Sequence, residues 1–281
     1  MNTSMMTASV TMGQLQKKMD TIANNMANSN TTGFKRREAS FSDLLFQQVN
    51  NQIVPSMETG RLTPEGLRVG SGAKIGQTAL RTEQGSIQQT DRQLDIAIQN
   101  PNHFFQIEVR NDNGEREVRY TRDGAFYFSQ SPNNPNALNI VTSQGHFLLG
   151  QNGPITVPAD HSEVQIDENG VISVILRDGT TTVPAGQLEM VRVQRPQILE
   201  QLGENLFGLP GNLIEQGYVP ADILGAVAPG QVSLRQGSLE MSNVDMGREM
   251  SEMILTQRSY QFNARSISMA DQMMGLVNSI R

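Results

Sequence analysis

Eight apolar residues near the start of the chain narrow its folding options sharply. Met1, Met5, Ala8, Met12, Leu15, Met19, Ile22 and Met26 alternate spacings of four and three, the a/d period of a helix with one buried seam. Ser, Thr, Gln, Lys and Asp fill most of the positions between them. Such a helix would be roughly 40 Å long at 1.5 Å per residue, and alone in water it would be marginal. It needs a partner for its seam. The run Asn28-Ser29-Asn30-Thr31-Thr32-Gly33 is expected to end it, because Asn and Gly tolerate the left-handed conformation that closes helices.

The C-terminal end supplies a match. Met246, Met250, Met253, Gln257, Tyr260, Ala264, Ile267, Asp271 and Met274 keep the same alternation, with Gln257 and Asp271 as polar exceptions. Ser242 is the expected N-cap, and Asp245 three residues on suits a helix N-terminus. A helix from about Asn243 to Asn278 would reach roughly 50 Å. Of the 15 methionines, only Met57 and Met190 lie outside residues 1–28 and 239–281. Methionine is a soft, adaptable apolar residue. The two seams therefore suit either an intramolecular pair or lateral packing into a multi-chain bundle, and periodicity alone does not choose between these.

The middle of the chain is of another kind. Asp95-Ile96-Ala97-Ile98, Phe104-Phe105-Gln106-Ile107-Glu108-Val109, Val164-Gln165-Ile166 and Val171-Ile172-Ser173-Val174-Ile175 read as strands. Asn113-Gly114, Asp123-Gly124, Asn152-Gly153, Asn169-Gly170 and Asp178-Gly179 punctuate them as turns. The expected fold class is α+β, with paired, coiled-coil-like N- and C-terminal helices flanking a central all-β domain, a sandwich or partly closed barrel. Residues 1–34 and 239–281 would form the helical assembly domain, 35–70 a connector with a short helix around Phe41–Gln52, 71–195 the β domain, and 196–238 the return connector.

Composition removes several function classes. The sequence has no cysteine, which excludes disulfide scaffolds, thiolate metal sites and thiol catalysis. No apolar run approaches the length of a membrane span, and the first charge, Lys17, comes too late for a secretory signal. The acidic excess behind the net charge of −6 sits in the centre of the chain, which disfavours nucleic acid as a partner. His103, His146 and His161 are far apart, and no H-E-x-x-H helix or phosphate-binding glycine loop is present. Neither catalysis nor a cofactor or metal is expected. Lys35-Arg36-Arg37 reads as a solvated turn, with contact to phosphate or anionic lipid as the weaker option.

One stretch exceeds what helix termination requires. Asn24, Asn25, Asn28 and Asn30 fall within seven residues, and buried amides between packed helices can bond in both directions and fix a register. The run Asn24-Asn25-Met26-Ala27-Asn28-Ser29-Asn30-Thr31-Thr32-Gly33-Phe34-Lys35-Arg36-Arg37 resembles the N-terminal motif of the bacterial flagellar axial proteins, the rod, hook and hook-associated components. Leu239-Glu240-Met241-Ser242-Asn243-Val244-Asp245 with Gln257-Arg258-Ser259-Tyr260 resembles their C-terminal motif. Phe41-Ser42-Asp43-Leu44-Leu45, Gly85-Ser86-Ile87-Gln88-Gln89-Thr90, Tyr120-Thr121-Arg122-Asp123-Gly124 and Gly203-Glu204-Asn205-Leu206-Phe207 extend the likeness, most closely to the distal-rod type. Asn102-His103 stands where a Gly-rich turn before the paired Phe is more usual in the family.

The resemblance implies a structural subunit of the basal-body rod, extracytoplasmic after export through the flagellar type III apparatus. It would polymerise helically, with terminal helices packing as an inner tube. Its partners would be copies of itself, other rod and hook proteins and the export apparatus, without nucleic acid or stable membrane insertion. Met5, Met12, Leu15, Met19, Ile22, Met26, Met250, Met253, Tyr260 and Ile267 would carry helix packing. Phe41 with Leu45 resembles the family's export-gate motif, although one turn of amphipathic helix would look the same. A hook-type or proximal-rod paralogue and a secreted coiled-coil/β fibre are the alternatives.

Overall fold

The structure is a computed structural model. It describes residues 2–43, 47–49, 67–69, 73–110, 114–131, 134–178, 181–203, 205–211, 219–228 and 230–279. The chain divides into two compact units.

The first unit holds residues 1–26, 37–79 and 246–281. Its helices are α1 (Asn2–Ala27) and α2 (Met246–Ser279), about 39 and 51 Å long at 1.5 Å per residue. They are antiparallel. Lys18 Nζ meets Glu252 Oε2 at 2.8 Å and Asn25 Nδ2 meets Glu249 Oε2 at 3.2 Å, so numbering falls along α2 as it rises along α1. On α1 the seam is placed as the heptads require, with Ala8, Leu15 and Ile22 buried and Met5, Met12, Met19 and Met26 half-buried.

On α2 the buried face is half of the expected seam and half its neighbour. Met253, Tyr260, Ala264 and Ile267 are half-buried as expected. Met250 is 52% exposed, and Glu249, Thr256 and Ala270 are buried. The face is therefore turned toward polar side chains whose bonds are met locally or by α1. Thr256 Oγ1 donates to Glu252 O at 2.7 Å, and Glu249 accepts the Asn25 amide. The helix begins at Met246, which puts Asp245 and not Ser242 at the cap position. Ser242 Oγ instead accepts the Val244 N–H at 3.3 Å, a local bond that competes with helix.

The same unit contains two short ladders. Arg37–Asp43 pairs with Ala73–Leu80, and Gln47–Val49 pairs antiparallel with Leu67–Val69. Phe41 is thus in an extended strand and not in a helical turn, because the ladder gives its backbone partners that an isolated turn of helix would lack. Its exposed ring lies 5.7 Å from the Lys18 ammonium. Leu45 lies outside the described residues.

The second unit, residues 27–36 and 80–245, is the β body. Its largest sheet is organised on His103–Arg110. One edge of this strand pairs with Arg116–Thr121, and the other is shared by Phe147–Gly150 and Met190–Val193. Successive side chains of a strand face opposite ways, and both faces are covered here. Phe105 joins Ile107, Phe126 and Leu148 in one core, while Phe104 joins Tyr120, Val191 and Phe207 in another. The three-stranded meander His161–Ile166, Val171–Leu176, Thr182–Gln187 adds Val164, Ile166, Ile172 and Val174 to the first core. The returning chain closes the body with two ladders: Leu234–Gln236 on Ile96–Ile98 and Ser238–Glu240 on Ile87–Gln89.

Candidate functional site: a buried clasp between the chain ends

Within the β body, the segment that leaves α1 and the segment that leads to α2 meet across a buried carboxylate. Glu240 ends the strand Ser238–Glu240, which the ladder to Ile87–Gln89 fixes. Its Oε1 accepts Lys35 Nζ at 2.7 Å and the Gly85 N–H at 2.9 Å; its Oε2 accepts Arg122 Nε at 2.6 Å. The side chains of Lys35 and Arg122 are inaccessible to solvent.

Two cations around one carboxylate leave a positive charge to satisfy, and backbone carbonyls take it. Arg122 donates through Nη1 to the carbonyls of Asn100 and His103, and through Nη2 to that of Ile98. Lys35 donates also to Glu83 O at 2.8 Å. Burial and the nearby Arg122 charge lower the Lys35 pKa to about 8, against the opposing pull of Glu240. Burial alone would raise the Glu240 carboxyl; Arg122 and Lys35 outweigh it and hold that carboxyl below its ordinary value. His103, lowered by burial and by Arg122 and Arg192, is favoured in its neutral form beside them.

Lys35 and Arg36 are therefore buried parts of the clasp, contrary to a solvated basic turn. Their backbone is paired as well. Arg36 N donates to Asn243 Oδ1 at 2.7 Å, Arg36 O accepts from Arg81 N at 3.0 Å, and Asn243 Nδ2 reaches Arg81 O and Glu83 O. A loop could not bury these groups without such partners.

The motif residues before Lys35 thread the chain into this position. Asn28 O and Oδ1 hold Thr31, and Phe34 is buried. Gly33 has φ of +67°, and a Cβ there would stand 2.4 Å from Asp123 N. It lies six residues beyond the end of α1, so its task is close approach to Asp123 and not helix termination. Its N–H donates to Glu240 O at 2.8 Å. Thr32 Oγ1 donates to Asp123 Oδ1 at 2.9 Å, and Thr32 O accepts from Asn205 Nδ2 at 2.7 Å. Burial raises the Asp123 carboxyl pKa, and hydrogen bonds from Ala125 and Thr32 only partly oppose this. Gly85 is needed for the same steric reason as Gly33, since a Cβ would sit 2.0 Å from Met241 O.

A second cluster lies in the helical unit. Asn25 is buried, donates to Arg37 O at 2.8 Å and to Glu249 Oε2, and accepts from Arg37 N at 3.0 Å. This is the two-way amide that the Asn-rich run implied. Asn24, Ala27 and Asn30 are exposed; on the other side of the chain Val244 is half-buried, and Gln257 and Arg258 are exposed. The clasp and the Asn25 cluster thus gather part of the motif and leave the rest on the surface. Sequence reasoning missed Glu240 and Arg122 as functional residues. Both stood inside quoted motif runs, and the usable signal was a charged residue within an otherwise strand-like segment.

In the clasp, the charged groups of Lys35, Arg122 and Glu240 are committed to one another and to backbone groups. Among the described residues, no cluster of three or more His, Asp or Glu could hold a metal, and no helix is long and apolar enough to cross a membrane.

The family models follow the same layout. Residues 5–35 match the flagella basal body rod protein model, 97–174 the D1 domain of the flagellar hook protein FlgE/F/G, and 235–280 the C-terminal model of the flagellar basal body rod FlgEFG proteins. The chain is 42% identical to the flagellar hook-basal body complex protein FlhP of Bacillus subtilis, over 99% of each chain. It is 36% identical to the flagellar basal-body rod protein FlgG of Borreliella burgdorferi, over 98% of this chain and 97% of that one. With the FlgG of Bacillus subtilis it shares 32% over 94% and 93%. Helices at both ends, a β body between them and similarity along nearly the whole length place the chain in the flagellar basal-body rod and hook protein family.

Proposed function

We propose that the chain is a structural, non-catalytic subunit of the flagellar basal-body rod, of the distal-rod type, joined to copies of itself and to other rod and hook proteins through its terminal helices. The observation that carries this reading is an apolar row left open to solvent on α2. Leu255, Phe262, Met269 and Leu276 recur every seventh residue and are all exposed, Phe262 by 70%. A row at strict heptad spacing is a helix-packing surface, and an exposed apolar strip of this length marks a contact site. The half-buried methionines of α1 and the exposed Met250 of α2 are further adaptable apolar residues of the helical unit. Full-length similarity to proteins named FlgG supports the rod over a secreted fibre. Delivery through the type III export apparatus, and helical polymerisation beyond it, belong to the same proposal.

The test is complementation of a strain lacking this chain. The unaltered chain restores motility, whereas Phe262→Asp, which places a charge in the row, does not, although it accumulates to the same level. Full complementation by Phe262→Asp would remove the row from the assembly surface.

A further inference from the structure

The exposed row contains oxidisable sulfur, and that chemistry is separate from its packing. Met269 is 54% exposed and Met273 is 50% exposed. They are four residues apart, hence neighbours on the helix surface, and Phe262 and Leu276 stand two turns before and two turns after Met269 in the same row. Met190 offers the opposite environment, 4% exposed within the core of the β body. The chain contains no cysteine, so no thiol within it competes for oxidant.

We propose that Met269 and Met273 form an oxidation site through which peroxide-class oxidants block assembly of the free subunit, reversibly. This rests on the assembly role of the α2 row proposed above. In the step itself, a thioether lone pair attacks one oxygen of hydrogen peroxide. The S–O bond forms, the O–O bond breaks and, after proton transfer, water leaves. Sulfur is oxidised by two electrons and the peroxide is reduced. A thiol-dependent methionine sulfoxide reductase reverses it, with two thiols passing to a disulfide and the oxygen leaving as water. The sulfoxide is polar, and a polar group carried into an apolar contact without a hydrogen-bond partner opposes that contact. Two of them, side by side between Phe262 and Leu276, place one polar group in the row at Met269 and another beside it at Met273. Once the row is covered by a neighbouring copy, the same sulfurs are shielded, so the free subunit is the sensitive form.

The test has two arms on the full-length chain. In the first, native protein is treated with limiting hydrogen peroxide and mapped by peptide mass spectrometry. Met269 and Met273 should each gain one oxygen while Met190 remains a thioether; oxidation of Met190 at the same rate would overturn the proposal. In the second, variants complement the deletion strain. Met269→Gln/Met273→Gln imitates the polar sulfoxide and should lose motility, while Met269→Leu/Met273→Leu keeps the row apolar and should restore it. Far-ultraviolet circular dichroism checks that both retain the helix. Complementation by the Gln pair, with Phe262→Asp still inactive, would sink the oxidation site and leave the assembly surface standing. Complementation by Phe262→Asp would sink both.

Discussion

Glu240 is the residue on which most of the motif chemistry converges. Lys35 reaches it across 205 positions of sequence and Arg122 across 118. Removing one partner of a buried charge network costs more than the network contributes against an apolar core, because the remaining charges stay buried. Glu240→Gln should therefore destabilise the β body by about 3–5 kcal/mol, read as a lower urea midpoint. Lys35 makes a pH prediction with a definite sign. Its pKa is 10.5 in the unfolded chain and about 8 in the folded one. Between these values the unfolded chain holds a proton that the folded chain has released, so this group's contribution rises with pH across the window. It is fully present above about 10.5 and lost as pH falls through about 8. Urea titrations across that window should show the rise in the unaltered chain and its absence in Lys35→Met. In the sequence, the cluster of four Asn was legible as unusual, whereas Gly33 read as helix termination and Lys35 as a solvated turn, because the partners of both are remote in sequence. Nothing local to Tyr120-Thr121-Arg122 or Leu239-Glu240-Met241 records that they meet.

The helices were legible as elements because a heptad seam is a local pattern. α1 followed it from Met5 to Met26. α2 followed it at Met253, Tyr260 and Ile267 and departed at Met250, because hydropathy does not register a buried Glu or Thr whose hydrogen bonds are satisfied. Glu249 is buried against Asn25, and Thr256 bonds back along its own helix. The Asn25 amide is thus the register pin between α1, Arg37 and α2. Asn25→Ala leaves the Arg37 N–H without its acceptor and should cost about 1–3 kcal/mol. The Lys18–Glu252 bridge is partly exposed, and Lys18→Ala should cost less than about 1 kcal/mol. Thermal melts followed by helical circular dichroism will rank the two; equal losses would contradict the assigned roles. The strand Arg37–Asp43 shows the opposite limit. Its residues fit an amphipathic turn by composition, and only the pairing with Ala73–Leu80 makes them extended.

Across the whole molecule, the α+β layout could be read from the change of hydrophobic period between the ends and the middle. The paired phenylalanines were legible as a strand; that Phe104 and Phe105 serve two separate cores depends on sheet neighbours far away in sequence. The clasp explains why the motifs at both ends contain buried polar residues: they tie the chain's exit from α1 and its entry to α2 to one body. In the proposed assembly, the exposed apolar row of α2 is left for other chains.

That division of labour can be tested in assembled flagella. The sequence contains no cysteine, so Phe262→Cys carries a single attachment point for a maleimide photocrosslinker. Basal bodies isolated from a strain producing a variant tolerant of that label should contain the chain. Illumination should join it to a second copy or to another rod protein. Basal bodies that are complete without the chain, or a chain present there whose position 262 forms no crosslink to any rod component, would contradict the account.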